Sequence, residues 1–235
     1  MAMATTATRA ARFLTALCGI LGTAALVAYY AAPYTFLPLP AADATAAQVM
    51  AFATRYHNAI LLDCWLQVVG SLLTVVFALA LVHMAGAASR FAGRLTLFTG
   101  TVVMTLALAE STFALGAVQA GTTGNSQGAL TLFELNFVFS SVFLIAPSLY
   151  LVLGAALLHT RLLPGGLTIA PLALGIAFQI LGVVNYFSSA LTLVVLVILI
   201  AQEAWAVIAA VVLAVGHTPS NTHTAVRPPG VAAVR

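Results

Sequence analysis

The amino-acid sequence predicts an all-α polytopic membrane protein, a bundle of six transmembrane helices with both termini in the cytoplasm, and three observations carry that expectation. Of the 235 residues, 63% are hydrophobic and 6% are charged, against about 25% charged residues in soluble domains. No soluble surface can be built from that composition. The apolar residues also fall into six runs, each near the roughly 20 residues that one bilayer crossing needs, with short connections that leave no room for a second domain. The arginines then segregate by side. With the amino terminus inside, cytoplasmic segments hold Arg9, Arg12, Arg90, Arg94, Arg161, Arg227 and Arg235, and Arg55 alone lies outside. Cytoplasmic loops collect basic residues, so this distribution requires an even number of spans.

The elements follow in order. Residues 1–12 form a polar cytoplasmic lead, and 13–32 are long enough for a first span. The same run could serve as a cleaved leader, given its basic start and the small residues Ala28, Ala31 and Ala32, although its length exceeds the usual apolar region of one. Gly19, Gly22 and Ala25 give it a small-residue face. Pro33, Pro38 and Pro40 stop the helix, and the stretch to Asn58 is the longest loop, with a short amphipathic piece at about 44–54. Spans at 59–85 and 95–118 flank a connector that carries Arg90 and Arg94. Those at 130–158 and 167–187 are divided by a Pro164-Gly165-Gly166 turn. The last, 191–215, follows Ser188 and Ser189 so closely that the two helices must form a hairpin. Residues 216–235, rich in Pro and Thr, read as a disordered cytoplasmic tail. No clear internal repeat is seen.

Five acids occur in the chain, and four of them, Asp63, Glu110, Glu134 and Glu203, fall inside spans. A charge at the bilayer centre costs on the order of 2.5 to 3.5 kcal/mol on insertion scales, so such groups face the bundle interior and often mark function. At about 1.5 Å per residue, Asp63 and Glu134 lie roughly 6 Å below the outer ends of their helices, Glu110 roughly 12 Å and Glu203 roughly 18 Å. Polar and small residues continue the same faces. Asp63, Gln67, Gly70 and Thr74 make one stripe; Glu134, Ser141 and Ser148 repeat every seven residues, and Pro147 frees the carbonyl of Phe143. Pro171, Gly175, Gln179, Gly182 and Tyr186 share a face of the fifth span. Together these predict an outward-facing polar cavity, lined by Asp63, Gln67, Glu110, Glu134, Gln179, Gln202 and Glu203. Its mouth would be framed by Arg55, Tyr56, His57, Asn58 and Tyr186, with Asn125 and Gln127 from the second external loop. The alternative is that each acid is protonated and bonded to its own neighbour.

Other chemistries find no support. Eight arginines without a lysine suit anionic headgroups, not a nucleic-acid surface. Lysine-based catalysis is impossible, and His-Glu-x-x-His, Gly-x-Ser-x-Gly and phosphate-loop motifs are missing. Cys18 and Cys64 sit in apolar runs as small hydrophobes, which excludes a disulfide framework or a cysteine zinc site. Asp63, Glu110, Glu134 and His57 supply oxygen and nitrogen donors, yet their spacing does not suggest a metal, so no metal and no cofactor is expected. Trp65 reads as packing or an interface anchor.

Several short motifs resemble a known family. The order of spans, the turn Arg161-Leu162-Leu163-Pro164, Glu110 in the third span and Ala201-Gln202-Glu203-Ala204-Trp205 in the sixth resemble a bacterial six-helix integral membrane family, catalogued as a domain of unknown function numbered in the four-thousand-three-hundreds. The similarity extends from about Thr8 to Gly216. It implies a multi-pass protein of the bacterial plasma membrane and brings no established activity. By position, Glu110 looks like the family's third-helix acid and Gln202-Glu203 like its last-helix pair. Many relatives carry an arginine one turn before the acid, where this chain has Ala107; a protonated acid or another partner is expected in place of an ion pair.

The functional expectation is a small binding or transport protein, taking a cation, a proton or a small polar solute from outside into the acidic cavity. The alternatives are an accessory subunit of a membrane complex, using the Gly19, Gly22 and Ala25 face in a homo- or hetero-oligomer, and an intramembrane, metal-assisted enzyme. The bilayer is the one partner that composition requires.

Overall fold

In hydrocarbon, every backbone N–H and C=O has to find its partner within the protein, and each apolar run meets that demand by winding into a helix. The computed structural model describes residues 9–41, 43–188 and 190–216, and among these it contains no strand. The helices are α1 Arg9–Thr35, α2 Ala46–Arg55, α3 His57–Met84, α4 Phe91–Thr122, α5 Ser126–Ile145, α6 Leu149–Leu157, α7 Gly165–Ser188 and α8 Thr192–Val215. Among the described residues, six stretches are long and apolar enough to cross a membrane, α5 and α6 together making one of them. These are the hallmarks of a multi-pass membrane protein. Residues 1–8 and the tail from 217 on, with Arg227 and Arg235, lie outside the described residues.

Short connectors make successive spans antiparallel neighbours, and the neighbours close into a ring. α1 packs on α3, α3 on α4, α4 on α5 and α6, these on α7, α7 on α8, and α8 back on α1. Up-and-down order puts Arg9, Arg12, Arg90, Arg94 and Arg161 at one end of the ring and Arg55 at the other. The amphipathic piece of the long loop is α2, started by a capping box: Thr45 Oγ1 accepts from the Gln48 amide at 3.4 Å, and Gln48 Oε1 accepts from the Thr45 amide at 2.8 Å. α2 lies against α4 and α5.

The outside of the ring is apolar, with Phe13, Trp65, Phe98, Ile180, Phe187 and Leu193 all exposed, as lipid contact requires. Inside are two apolar layers. The larger, at the arginine end, is built on Phe77, Leu81, Leu153, Leu157 and Leu213 around Trp205, whose Nε1 donates to the Leu167 carbonyl at 2.9 Å. The smaller, at the α2 end, holds Ala32, Leu37, Ile60, Cys64 and Val118. Between them runs a polar layer.

Three details differ from what the sequence alone suggests, the first being that α1 does not stop at Pro33 but runs through it to Thr35. Gly19, Gly22 and Ala25 are buried within this chain's own ring: a Cβ on Gly22 would meet the Thr74 backbone of α3, so that face is consumed internally and is not free for another subunit. The fourth span, expected as one kinked helix, is broken outright. α5 ends at Ile145 and α6 begins at Leu149, because Pro147 brings no N–H and its ring opposes continuation. Gln179 of α7 repairs the gap from both sides. Its Oε1 accepts from the Ser148 amide at 3.0 Å, and its Nε2 donates to the Ile145 carbonyl at 3.4 Å. α6 and α7 lie backbone to backbone there, since a Cβ on Gly154 or Gly175 would run into the main chain of Leu172 or Leu151.

A candidate binding cavity with an acidic floor

The polar layer is organised by Glu110. Buried in α4, its carboxylate gathers donors from three other helices. Oε1 accepts from Tyr29 of α1 at 3.2 Å and from the Ser140 hydroxyl of α5. Oε2 accepts from Gln67 Nε2 of α3 at 2.5 Å. Ser111 Oγ then donates to Gln67 Oε1 at 2.8 Å, which orients that amide so that its NH2 faces the acid. Asn136 Nδ2 adds a bond to the Glu110 carbonyl at 3.0 Å. Among the described residues Glu110 is thus held without an ion pair, and Ala107 beside it lines the polar interior. α4 runs on to Thr122, so the acid sits about 18 Å from that helix end, deeper than the sequence suggested.

Asp63 lies one turn from Gln67 on the same face of α3. It is half-buried, and its buried Oδ1 has no hydrogen-bond partner. Asp63 and Glu110 open into one cavity of about 260 Å³. Gln67, Asn136 and Ser140 complete its polar side, while Tyr29, Tyr30, Tyr34, Phe52, Phe133 and Phe137 supply aromatic walls. α2 roofs it with Val49, Phe52 and Ala53.

Two further cavities continue toward the arginine end. One of about 130 Å³ shares Tyr29, Tyr30, Gln67, Glu110 and Ser140 with the first. The next, of about 60 Å³, shares Leu26, Tyr30, Ser71 and Phe143 with the second and is bounded by Thr74, Tyr150, Gln202 and Glu203. The lining steps down each helix in register: on α8 it passes from Leu196 to Leu199 to Gln202 and Glu203. Tyr30 borders all three.

The structure therefore joins Asp63, Gln67 and Glu110 in one cavity and places Gln202 and Glu203 in an adjoining one, with Gln202 Nε2 donating to the Leu174 carbonyl at 3.3 Å. The remaining expected residues stand elsewhere. Glu134 is exposed on α5 and borders a separate hollow with Ala41, Ala44 and Phe133. Gln179 serves the α5–α6 break. Tyr186 is exposed near the end of α7, ring against Phe187. Arg55 and His57 are exposed where α2 meets α3, Arg55 Cζ resting 5.3 Å over the Tyr56 ring. None of these frames the mouth, which is apolar, because α2 folds Phe52 and Val49 over it. Asn125 caps α5, its Oδ1 accepting from the Gly128 amide at 2.9 Å.

The site also uses residues that the sequence reading passed over: Tyr29, Tyr30, Ser111, Asn136 and Ser140. One signal was available, since Asn136 and Ser140 are four apart and share a helix face. Among the described residues, no three His, Cys, Asp or Glu side chains come together as a metal-ligand set.

No family model, no curated protein and no solved structure matches this chain.

Proposed function

We propose that this protein binds a small organic cation of the ammonium type in the cavity between α1, α3, α4 and α5, as the first step of moving it across a bacterial plasma membrane. The observation that carries the reading is the Asp63 carboxylate, one oxygen of which has no hydrogen-bond partner, bordering an aromatic-walled, acid-floored cavity. Both oxygens of Glu110 already receive donors, so the Asp63 carboxylate is the acid left to meet a ligand. A buried acceptor without a partner costs about 1 to 3 kcal/mol, which a donor-bearing or positive ligand removes. Faces of Tyr, Phe and Trp attract a desolvated cation by about 0.5 to 2 kcal/mol each, and six such rings line this space. At about 30 Å³ per molecule, the cavity has room for on the order of eight waters, which sets the ligand's size.

The arginine distribution supports an orientation with the roofed end outside and both termini inside. The motifs quoted above support membership of the six-helix family of unknown function, which brings no substrate with it.

The test is calorimetric binding of choline against its uncharged carbon analogue, with purified protein in detergent. Choline is expected to bind about tenfold more tightly, equivalent to roughly 1.4 kcal/mol, and Asp63→Asn should erase the difference. Equal affinity for both ligands in the unaltered protein would refute the proposal.

A further inference from the structure

Glu203 lies on α8 about 16 Å from the helix start at Thr192, half of a roughly 30 Å hydrocarbon core. It is 4% exposed. Among the described residues no arginine or histidine pairs with it, and its Oε2 has no hydrogen-bond partner. The same holds for two hydroxyls that border the same cavity of about 60 Å³, Thr74 Oγ1 on α3 and Tyr150 Oη on α6, which are 7% and 6% exposed. The hydroxyl of Thr23 on α1, 6% exposed, lies beside the Glu203 carboxyl as its nearest donor. Three helices, α3, α6 and α8, thus border one small space with residues whose buried oxygens lack partners.

We propose that this space is a second site, separate from the aromatic cavity, and that it holds one dehydrated monovalent metal cation of about sodium's size. Charge and donor type together select that ligand. A carboxylate at this depth is costly unless donors or a counter-charge meet it; Glu203 Oε2 has no donor, and one negative charge is cancelled by one monovalent ion. A divalent ion calls for more carboxylates than the single one present. A proton would neutralise Glu203 and leave the hydroxyl oxygens of Thr74 and Tyr150 as they were; a hard cation takes all of these oxygens at once.

The chain break reinforces the choice. Phe143, Ala146, Pro147 and Ser148 border this same cavity, so the carbonyl end of α5 meets it. Pro147 has no N–H to offer the Phe143 carbonyl. The carbonyl end of a half-helix carries partial negative charge that favours a cation, and unwound carbonyls at mid-membrane are suited to coordinating sodium.

Equilibrium binding of radioactive sodium to the purified full-length protein tests this, with ionic strength held by N-methylglucamine chloride. Saturable binding of a single ion per chain is expected. Glu203→Gln should weaken it by about tenfold or more. Tyr150→Phe, which removes one hydroxyl and keeps the ring, should weaken it several-fold, so the proposal stays testable if Glu203→Gln fails to fold. Asp63→Asn should leave sodium binding unchanged, which separates this site from the ammonium reading. Absence of saturable sodium binding, the outcome if water or a proton alone fills the space, would overturn the proposal. So would sodium binding that survives Tyr150→Phe and Glu203→Gln intact.

Discussion

Glu110 shows why a buried acid can be stable without a counter-charge. Its oxygens are matched by Tyr29, Ser140 and Gln67, and a buried acceptor whose donors are supplied avoids the cost of an unmade hydrogen bond. Removing the acceptor strands all three donors away from water. Glu110→Ala is expected to lower stability by about 3 kcal/mol or more, at about 1 to 3 kcal/mol per stranded group. Glu110→Gln should cost about half as much, because one oxygen still accepts, although its new NH2 confronts that of Gln67. Unfolding titrations in mixed micelles measure both; equal losses would mean that these bonds do not hold the layer. The neighbouring Asp63 is expected to behave oppositely. Its Oδ1 has no partner to strand, so Asp63→Asn should leave stability within about 0.5 kcal/mol while abolishing the preference for a charged ligand.

At the scale of the element, the broken fourth span depends on a residue from another helix. Ser148 N–H and Ile145 C=O would be bare in hydrocarbon without Gln179, a state that bilayers penalise heavily. Gln179→Leu is expected to destabilise by about 2 kcal/mol. In a Pro147→Ala background the helix can bond across the gap by itself, so the same change should cost about 1 kcal/mol less. Thermal unfolding of the four proteins in the cycle measures that coupling, and strictly additive losses would show that Gln179 does not serve the break. The α6–α7 contact carries its own expectation. Backbone replaces side chain at Gly154 and Gly175, and any Cβ forces the helices apart; Gly175→Val should cost about 3 kcal/mol, the upper end for overpacking, in the same assay.

The whole molecule is a ring of consecutive helices with its polar groups turned inward, and the ring has two unlike ends. Arginines gather at one, while α2 and the apolar mouth occupy the other. If basic loops face the cytoplasm, the roof faces outside. Free Cys18 and Cys64 are replaced by Ala and Ser, and one cysteine is introduced at Asn125 or at Arg161. In intact cells a membrane-impermeant maleimide is expected to label Asn125→Cys and spare Arg161→Cys until the membrane is permeabilised. The reverse pattern would invert the topology and turn the cavity toward the cytoplasm.

Much of this was open to reading in the chain alone, for reasons of length and period. Runs of about 20 apolar residues have no alternative to spanning, and short connectors leave successive helices no choice but to be neighbours. The Asp63, Gln67, Gly70 and Thr74 stripe was legible because a 3.6-residue repeat assigns residues to one face. What a repeat cannot state is which groups on facing helices meet. Gln67 and Tyr29 reach Glu110 from 43 and 81 residues away, Gln179 turns to a chain break 31 residues earlier, and Val49 and Phe52 of α2 border the cavity where Arg55 and His57 were expected. Those pairings depend on how each helix is rotated about its axis and how deeply it sits. Packing among all six spans sets both, and no single span carries that information in its own sequence.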